Sequence, residues 1–292
     1  MKTFAASTDE LVATIRDVLA ERPEAVAAFL FGSAAKKRMT DESDIDVAVY
    51  FRANPDAAGR TPLEVEAEDA RYPSENEIWG DLERRLKREV DLVVLNRAPA
   101  TLAAAVVLEG RPCVMRDSAI MGRFSAAVTT IAEDFRTFID EFVQIRDRSR
   151  SLSEIDRARL LRILDFLAGE LSERSKFTAL SSNSYLKDGS LRRDVERWVE
   201  NLVNASVDIA KIVLASSGLP MPQTYRETLV SLAAVSQFES VAAALAQFTR
   251  LRNLLAHEYL DLRYPEIRKV VDESERVYGG LVGAARKWLA AS

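Results

Sequence analysis

Two hydrophobic rhythms divide the chain. As far as Met115, short apolar runs alternate with segments of helical period; after Arg116 the helical period continues alone. Leu11, Ile15, Val18 and Leu19 recur at helical spacing behind Thr8-Asp9-Glu10, which can cap a helix. Ala25 to Phe31 (AVAAFLF) reads as a short buried strand ending in Gly32-Ser33, and residues 44–50 (DIDVAVY) read as a second strand. Ile78, Leu82 and Leu86 mark a helix over 77–89, and Val90 to Leu95 a third strand. Pro99 opens a helix that Gly110 closes, and Cys113-Val114-Met115 reads as a fourth, edge-like strand. Residues 54–75 carry Pro55, Gly59, Pro62 and Pro73 among many charges and read as a long irregular insertion.

Residues 117–148 read as one long helix, broken by the polar stretch Ser149 to Ser153. Beyond it, helices are predicted over 154–180, 191–216, 225–235, 240–259 and 264–289, with Gly218, Pro220 and Pro222 between them. The expected architecture is an α/β domain over residues 1–150 followed by an all-α helical domain over residues 151–292.

Composition fits that division. A chain of 292 residues suits two domains with separate cores, and 48% hydrophobic with 29% charged residues marks a soluble globular protein. The formal net charge of −5 argues against a broad basic surface for nucleic acid but leaves room for a local basic pocket. The single Cys113 excludes an internal disulfide framework and a cysteine zinc cluster. No apolar run reaches spanning length and residues 1–7 lack an apolar signal core, so the expected location is the cytoplasm, with no membrane partner.

Candidate chemistry gathers at the strand ends. A glycine at position 32, between a strand and a polar segment that begins as a helix, lets backbone N–H groups approach a phosphate, and the Ser33 hydroxyl adds a donor. Asp44 and Asp46 alternate along a strand, so both carboxylates face one way while Ile45, Val47 and Val49 face the other. Asp91 starts the next apolar strand and can reach the same edge. Three convergent carboxylates repel unless cations sit between them, and hard oxygen ligands suit Mg²⁺ bridged to a nucleoside triphosphate such as ATP. The chemistry expected is nucleotidyl transfer, with the third carboxylate helping to deprotonate an attacking hydroxyl. The bland alternative, a Gly-Ser turn and solvated aspartates, accounts for each residue singly but not for the whole set at this spacing. Lys36, Lys37 and Arg38 read, by a narrow margin over a solvated face, as contacts to nucleotide phosphates.

FGSAAKKRMTDESDIDVAVYF and VDLVVLN resemble the minimal nucleotidyltransferase (MNT) branch of the polymerase-β-like superfamily, over about residues 10–145. That resemblance implies a small mixed sheet with helices, nucleotide binding at Gly32 and Ser33, and metal binding at Asp44, Asp46 and Asp91. Lys36-Lys37-Arg38 stands where members often carry Arg-Gly.

A second constellation lies near the C-terminus, in RNLLAHEYLDL, which holds the only histidine of the chain. On a helical wheel Asn253 and His257 are one turn apart, and Arg252 and Tyr259 two turns apart, with Leu251, Leu254 and Leu255 opposite. A neutral imidazole can take the proton of a ribose 2′-hydroxyl while a guanidinium stabilises the charged phosphorane, which is ribonuclease chemistry without a metal and leaves a cyclic phosphate. One histidine per chain provides no separate general acid; a homodimer facing two such motifs would supply a second Arg and His. The alternative is a helix-capping histidine beside an Arg252 ion pair. RNLLAHEYLDL resembles the Arg-Asn-x3-His-x-Tyr motif of HEPN ribonucleases in the HepT-like branch, over about Arg157 to Val270. The resemblance implies catalytic roles for Arg252, Asn253 and His257 on an RNA substrate, in a helical bundle. In HEPN–MNT toxin–antitoxin pairs the nucleotidyltransferase adds AMP to the corresponding tyrosine, here Tyr259, and silences the nuclease.

The expected protein is therefore a fused toxin–antitoxin chain in which an ATP- and Mg²⁺-dependent domain controls an RNase. The alternative is a small-molecule, aminoglycoside-type nucleotidyltransferase whose helical domain shapes the acceptor pocket. Trp79, Trp198 and Trp288 read as packing residues, and Arg192, Arg193 and Arg197 as surface charge.

Overall fold

The computed structural model describes residues 7–36, 38, 43–54, 61–249, 251 and 260–292, the last segment without side chains over 260–263. It divides into two compact units, residues 1–133 and 134–292. The division falls inside a long helix, ahead of the polar Ser149 to Ser153 break at which the sequence places it.

The first unit begins with α1 (Thr8–Leu19). Ser7 and Glu10 close its N-terminus reciprocally: the Ser7 hydroxyl accepts from the Glu10 N–H at 3.2 Å, and the Glu10 carboxylate accepts from the Ser7 N–H at 2.7 Å. At its other end the Arg116 guanidinium donates to the carbonyls of Leu19 at 2.6 Å and Arg22 at 3.0 Å, satisfying acceptors that a helix end leaves open. Strands β1 (Ala25–Leu30), β2 (Ile45–Phe51), β3 (Val90–Val94) and β4 (Arg111–Met115) form one mixed sheet in the order β3-β2-β1-β4. β1 pairs antiparallel with β2 and β4, and β2 pairs parallel with β3. The one-turn α2 (Gly32–Ala35) follows β1, and α3 (Glu75–Leu86) makes the crossover between the parallel strands.

Both faces of the sheet are covered, so its strands read as continuous apolar runs. Ile45, Val47, Val49 and Phe51 join α1 and α3 residues in one core. Ala48 and Tyr50, of opposite parity, join α4 (Ala100–Glu109) and the start of α5 (Ser118–Arg148) in the other.

Within the insertion, residues 61–74, with Pro62 and Pro73, are irregular but tied down. Asn96 is fully buried; its amide oxygen accepts from the Phe51 N–H at 2.8 Å, and its NH₂ donates to the Phe51 carbonyl and to Glu64 Oε2, each at 2.9 Å. Glu64 also accepts from the Tyr72 hydroxyl, while the Tyr72 ring stacks on Phe51 at 4.5 Å between centroids. Glu66 holds a left-handed backbone (φ 50°) and its carboxylate accepts from the Ala100 N–H at 2.9 Å, taking the place of an N-cap for α4. Burial above all, and then the Glu64 contact, push the Tyr72 phenol far above its ordinary range; burial likewise pushes Tyr50 up to about 12.

The second unit is helical: the rest of α5, then α6 (Glu154–Ser172), α7 (Ser182–Lys187), α8 (Gly189–Ser216), α9 (Tyr225–Ser231), α10 (Glu239–Ala246) and α11 (Leu260–Ala291). The helix predicted over 154–180 ends at Ser172 and passes into a 3₁₀ turn, Glu173–Phe177. The one predicted over 240–259 leaves regular α-helix at Ala246. Ser153, Asp188 and Thr224 cap α6, α8 and α9 through side-chain oxygens. The core is large and aromatic, with Phe135 stacked on Phe138 and met edge-on by Tyr225. Lys211, 4% exposed, is held by Glu141 Oε2 at 2.5 Å and Asp208 Oδ1 at 2.7 Å, over the Phe138 ring. Arg159 donates to the same Glu141 oxygen at 2.7 Å. Although burial opposes it, contact with Lys211 and Arg159 lowers the Glu141 pKa. Among the described residues no single helix is long and apolar enough to cross a membrane.

Candidate nucleotidyltransferase site

Strand pairing brings two of the predicted carboxylates together. Asp46 and Asp91 are register partners on the parallel strands β2 and β3. Asp44 lies just ahead of β2, exposed to solvent, so it approaches from a less constrained backbone than Asp46. Asp46 shares its face with Ala48 and Tyr50, at the point where the core beneath that face gives way to polar groups.

Gly32 sits directly beneath Asp46. Its φ is +65°, the left-handed region that glycine alone enters without cost, and a Cβ there would lie 2.0 Å from Asp46 Oδ2 and 2.7 Å from Cγ. The Phe31 N–H donates to the Asp46 carbonyl at 3.0 Å, locking the β1–α2 corner to β2. α2 is further held by the Thr8 hydroxyl, which donates to the Ala34 carbonyl at 3.2 Å. The Gly-Ser corner thus places the backbone against the carboxylate. Gly32→Ala is expected to cost ~1–2 kcal/mol in backbone strain alone. Because it must also displace Asp46, it is expected to cut nucleotidyl transfer by about a hundredfold. Urea unfolding and initial rates measure the two effects separately; unchanged rates would show that Asp46 needs no fixed position.

Electrostatics mark the same point. Burial first, then Asp91, then Asp44 raise the Asp46 pKa above the ordinary carboxylate value, while the backbone N–H groups of Asp46 and Ser33 pull it down. The folded-state pKa therefore lies above the unfolded one. Ionised Asp46 costs stability at neutral pH, and the cost fades as pH falls through the folded-state pKa. Asp46→Asn is expected to raise Tm at pH 7, with the gain shrinking at acidic pH, and Mg²⁺ is expected to stabilise the wild type but not the variant. Thermal melts with and without Mg²⁺ check this; equal Mg²⁺ stabilisation of both proteins would contradict it.

Among the described residues no three acidic, histidine or cysteine side chains stand grouped as ligands of one ion. Mutual repulsion explains why Asp44, Asp46 and Asp91 are not drawn into contact by themselves. Their chemistry still fits a hard divalent cation, since Asp91 and Asp44 disfavour the ionised form of Asp46 that a cation would relieve. Lys36 pairs with Glu109 at 2.7 Å, at the solvent surface. The expected phosphate contact is therefore already taken in part; Lys37 lies outside the described residues. Of the three tryptophans read as packing residues, Trp79 is 44% exposed and only partly packed, its indole N–H donating to the Val90 carbonyl at 2.9 Å. Trp198, 3% exposed, and Trp288, 8% exposed, do pack inside.

Arg252, Asn253, His257 and Tyr259 all lie outside the described residues. On the near side of that segment Leu251 is buried, 1% exposed, and on the far side α11 begins at Leu260.

Comparison with known proteins separates the two halves in the same order. No curated protein is detectably similar to the chain. One solved structure, described as a crystal structure of the toxin-antitoxin with AMP-PNP, is 21% identical with a TM-score of 0.36, over 46% of this chain and 95% of the other. A second, described as a mutant of the toxin-antitoxin MntA-HpeT, is 19% identical with a TM-score of 0.35, over 48% of this chain and 97% of the other. Residues 13–119 match the family model described as polymerase beta, nucleotidyltransferase, and residues 167–278 match ribonuclease HepT-like. One polypeptide thus joins a polymerase-β-type nucleotidyltransferase domain, over residues 13–119, to a HepT-like ribonuclease domain, over residues 167–278.

Proposed function

We propose that the first domain transfers AMP from ATP to Tyr259 of the second and thereby blocks RNA cleavage at Arg252 and His257. The observation that carries this reading is the pairing of Asp46 with Asp91 over Gly32, in a chain that also carries RNLLAHEY. Asp44, Asp46 and Asp91 would hold Mg²⁺, which would supply charge neutralisation at the α-phosphate. Gly32 and Ser33 present backbone N–H groups and a hydroxyl to the phosphates. The third carboxylate, Asp91, accepts the phenolic proton. The tyrosyl oxygen bonds to the α-phosphorus, the bond from that phosphorus to the bridging oxygen breaks, and pyrophosphate leaves.

In the second domain His257 takes the 2′-hydroxyl proton, Arg252 stabilises the phosphorane, Asn253 orients the phosphate, and a 2′,3′-cyclic phosphate forms as the 5′-oxygen leaves. AMP on Tyr259 places a bulky anion beside those positive groups, where it competes with the RNA backbone. Fusion raises the effective concentration of transferase and acceptor. A homodimer pairs two motifs and supplies the second Arg and His, and the protein acts in the cytoplasm. The HepT-like match over residues 167–278 weighs against an aminoglycoside-type acceptor pocket.

The test is RNA cleavage before and after incubation with ATP and Mg²⁺. The reading predicts that cleavage falls after incubation and that Tyr259→Phe protein escapes the fall. Equal inhibition of Tyr259→Phe would mean that another acceptor carries the control.

A further inference from the structure

Helix α6 turns a mixed face outward. Ile155, Arg159, Arg162 and Phe166 follow one another at intervals of four, three and four, so they share one stripe, while Leu160, Leu164 and Leu167 are buried. Phe166 is 48% exposed, so its ring is open to contact from solvent. Helix α8 brings Asn201, Asn204 and Asp208 to the opposite bank, and the two helices enclose a groove of about 260 Å³.

The polar groups of this groove are unequally committed. Asp208 is neutralised by Lys211 at 2.7 Å, and Arg159 by Glu141 at 2.7 Å. Asn201 is oriented by Glu170, whose Oε1 accepts from its NH₂ at 3.1 Å. Arg162 is exposed and makes no ion pair among the described residues. What the groove offers is an unmatched guanidinium, an aromatic face one turn away, and two side-chain amides across from both. Those are the three contacts that a single-stranded nucleotide asks for: a cation for phosphate, a ring for the base, and amide groups for the base edge. An apolar partner would instead have to desolvate Arg162, since Asp208 on the opposite bank is already paired with Lys211.

We propose that the α6–α8 groove seats one nucleotide of a single-stranded RNA, with Arg162 at its phosphate, Phe166 against its base, and Asn201 and Asn204 at the base edge. This deepens the ribonuclease reading and rests on RNA being the substrate of the second domain. Among the described residues the groove is lined by helices α6 and α8.

The test is fluorescence anisotropy of the full-length chain with a short 2′-O-methyl oligoribonucleotide, which lacks the 2′-hydroxyl that cleavage needs. Arg162→Ala/Phe166→Ala is expected to weaken binding at least about tenfold. Arg162→Ala alone is expected to flatten the dependence of log Kd on log salt by ~0.7. Both side chains are exposed, and a thermal melt confirms that the variants fold. Unchanged affinity in a folded double variant overturns the proposal. So does an equal loss of affinity for free AMP, which would make the groove a mononucleotide site, or a shift from dimer to monomer, which would make it an interface between copies. Cleavage of unmodified RNA is read in parallel. Cleaving wild type with unaltered probe binding in the variant sinks the groove alone; lost probe binding in a chain that never cleaves sinks the ribonuclease reading alone.

Discussion

A chain carrying Asp44→Ala/Asp46→Ala is expected to degrade RNA that the ATP-treated wild type leaves intact, and to be toxic when expressed. Asp46 lies over Gly32 and Asp44 just ahead of β2, both in the first unit, and neither belongs to the second unit's core. Removing them therefore removes the control without disturbing the nuclease. Adding His257→Ala to the same chain is expected to abolish both effects, with cleavage falling by about 10³-fold or more, since the imidazole supplies the general base of the reaction. Gel analysis of a labelled RNA after incubation checks the first part, and colony counts under induction check the second. Equal cleavage with and without His257 would remove the ribonuclease assignment and leave the first domain to modify something else.

The second large effect concerns the transferase itself. Asp46→Ala is expected to reduce AMP transfer by about 10³-fold or more, because it deletes a cation ligand at the position where the electrostatic demand is greatest. Asp46 is the carboxylate whose pKa is raised, by burial first and then by Asp91 and Asp44. Asp44→Ala is expected to be milder, since that residue is exposed and outside the strand. Rates of AMP incorporation from labelled ATP at saturating Mg²⁺ rank the variants. An Asp44→Ala defect larger than that of Asp46→Ala would contradict the geometry.

The first unit was legible because its sheet is covered on both faces. Continuous apolar runs such as AVAAFLF can be read as strands without knowing what covers them. The Asp-x-Asp element was legible because carboxylates stand out at the start of an otherwise apolar strand: Asp44 lies just ahead of β2 and Asp46 is its second residue. The anchoring of the insertion was not legible. It depends on Asn96, Glu64 and Tyr72 meeting across the fold, contacts with no periodic signature. Helix ends in the second unit were missed at Ser172, where apolar spacing continues through a 3₁₀ turn, and at Ala246, where the chain leaves regular helix at a turn. The stripe Ile155–Arg159–Arg162–Phe166 stands in the sequence at helical spacing, but the amides that face it come from α8, some forty residues on. Arg252, Asn253, His257 and Tyr259 rest on motif and chemistry, since they lie outside the described residues.

The account turns on whether the first domain modifies the second. The direct measurement is the intact mass of the purified full-length chain after incubation with ATP and Mg²⁺, followed by peptide mapping. The account predicts a gain in whole AMP units located on Tyr259, absent from Asp44→Ala/Asp46→Ala protein and from Tyr259→Phe protein. A mass that stays constant while an aminoglycoside in the same tube becomes adenylylated would contradict it.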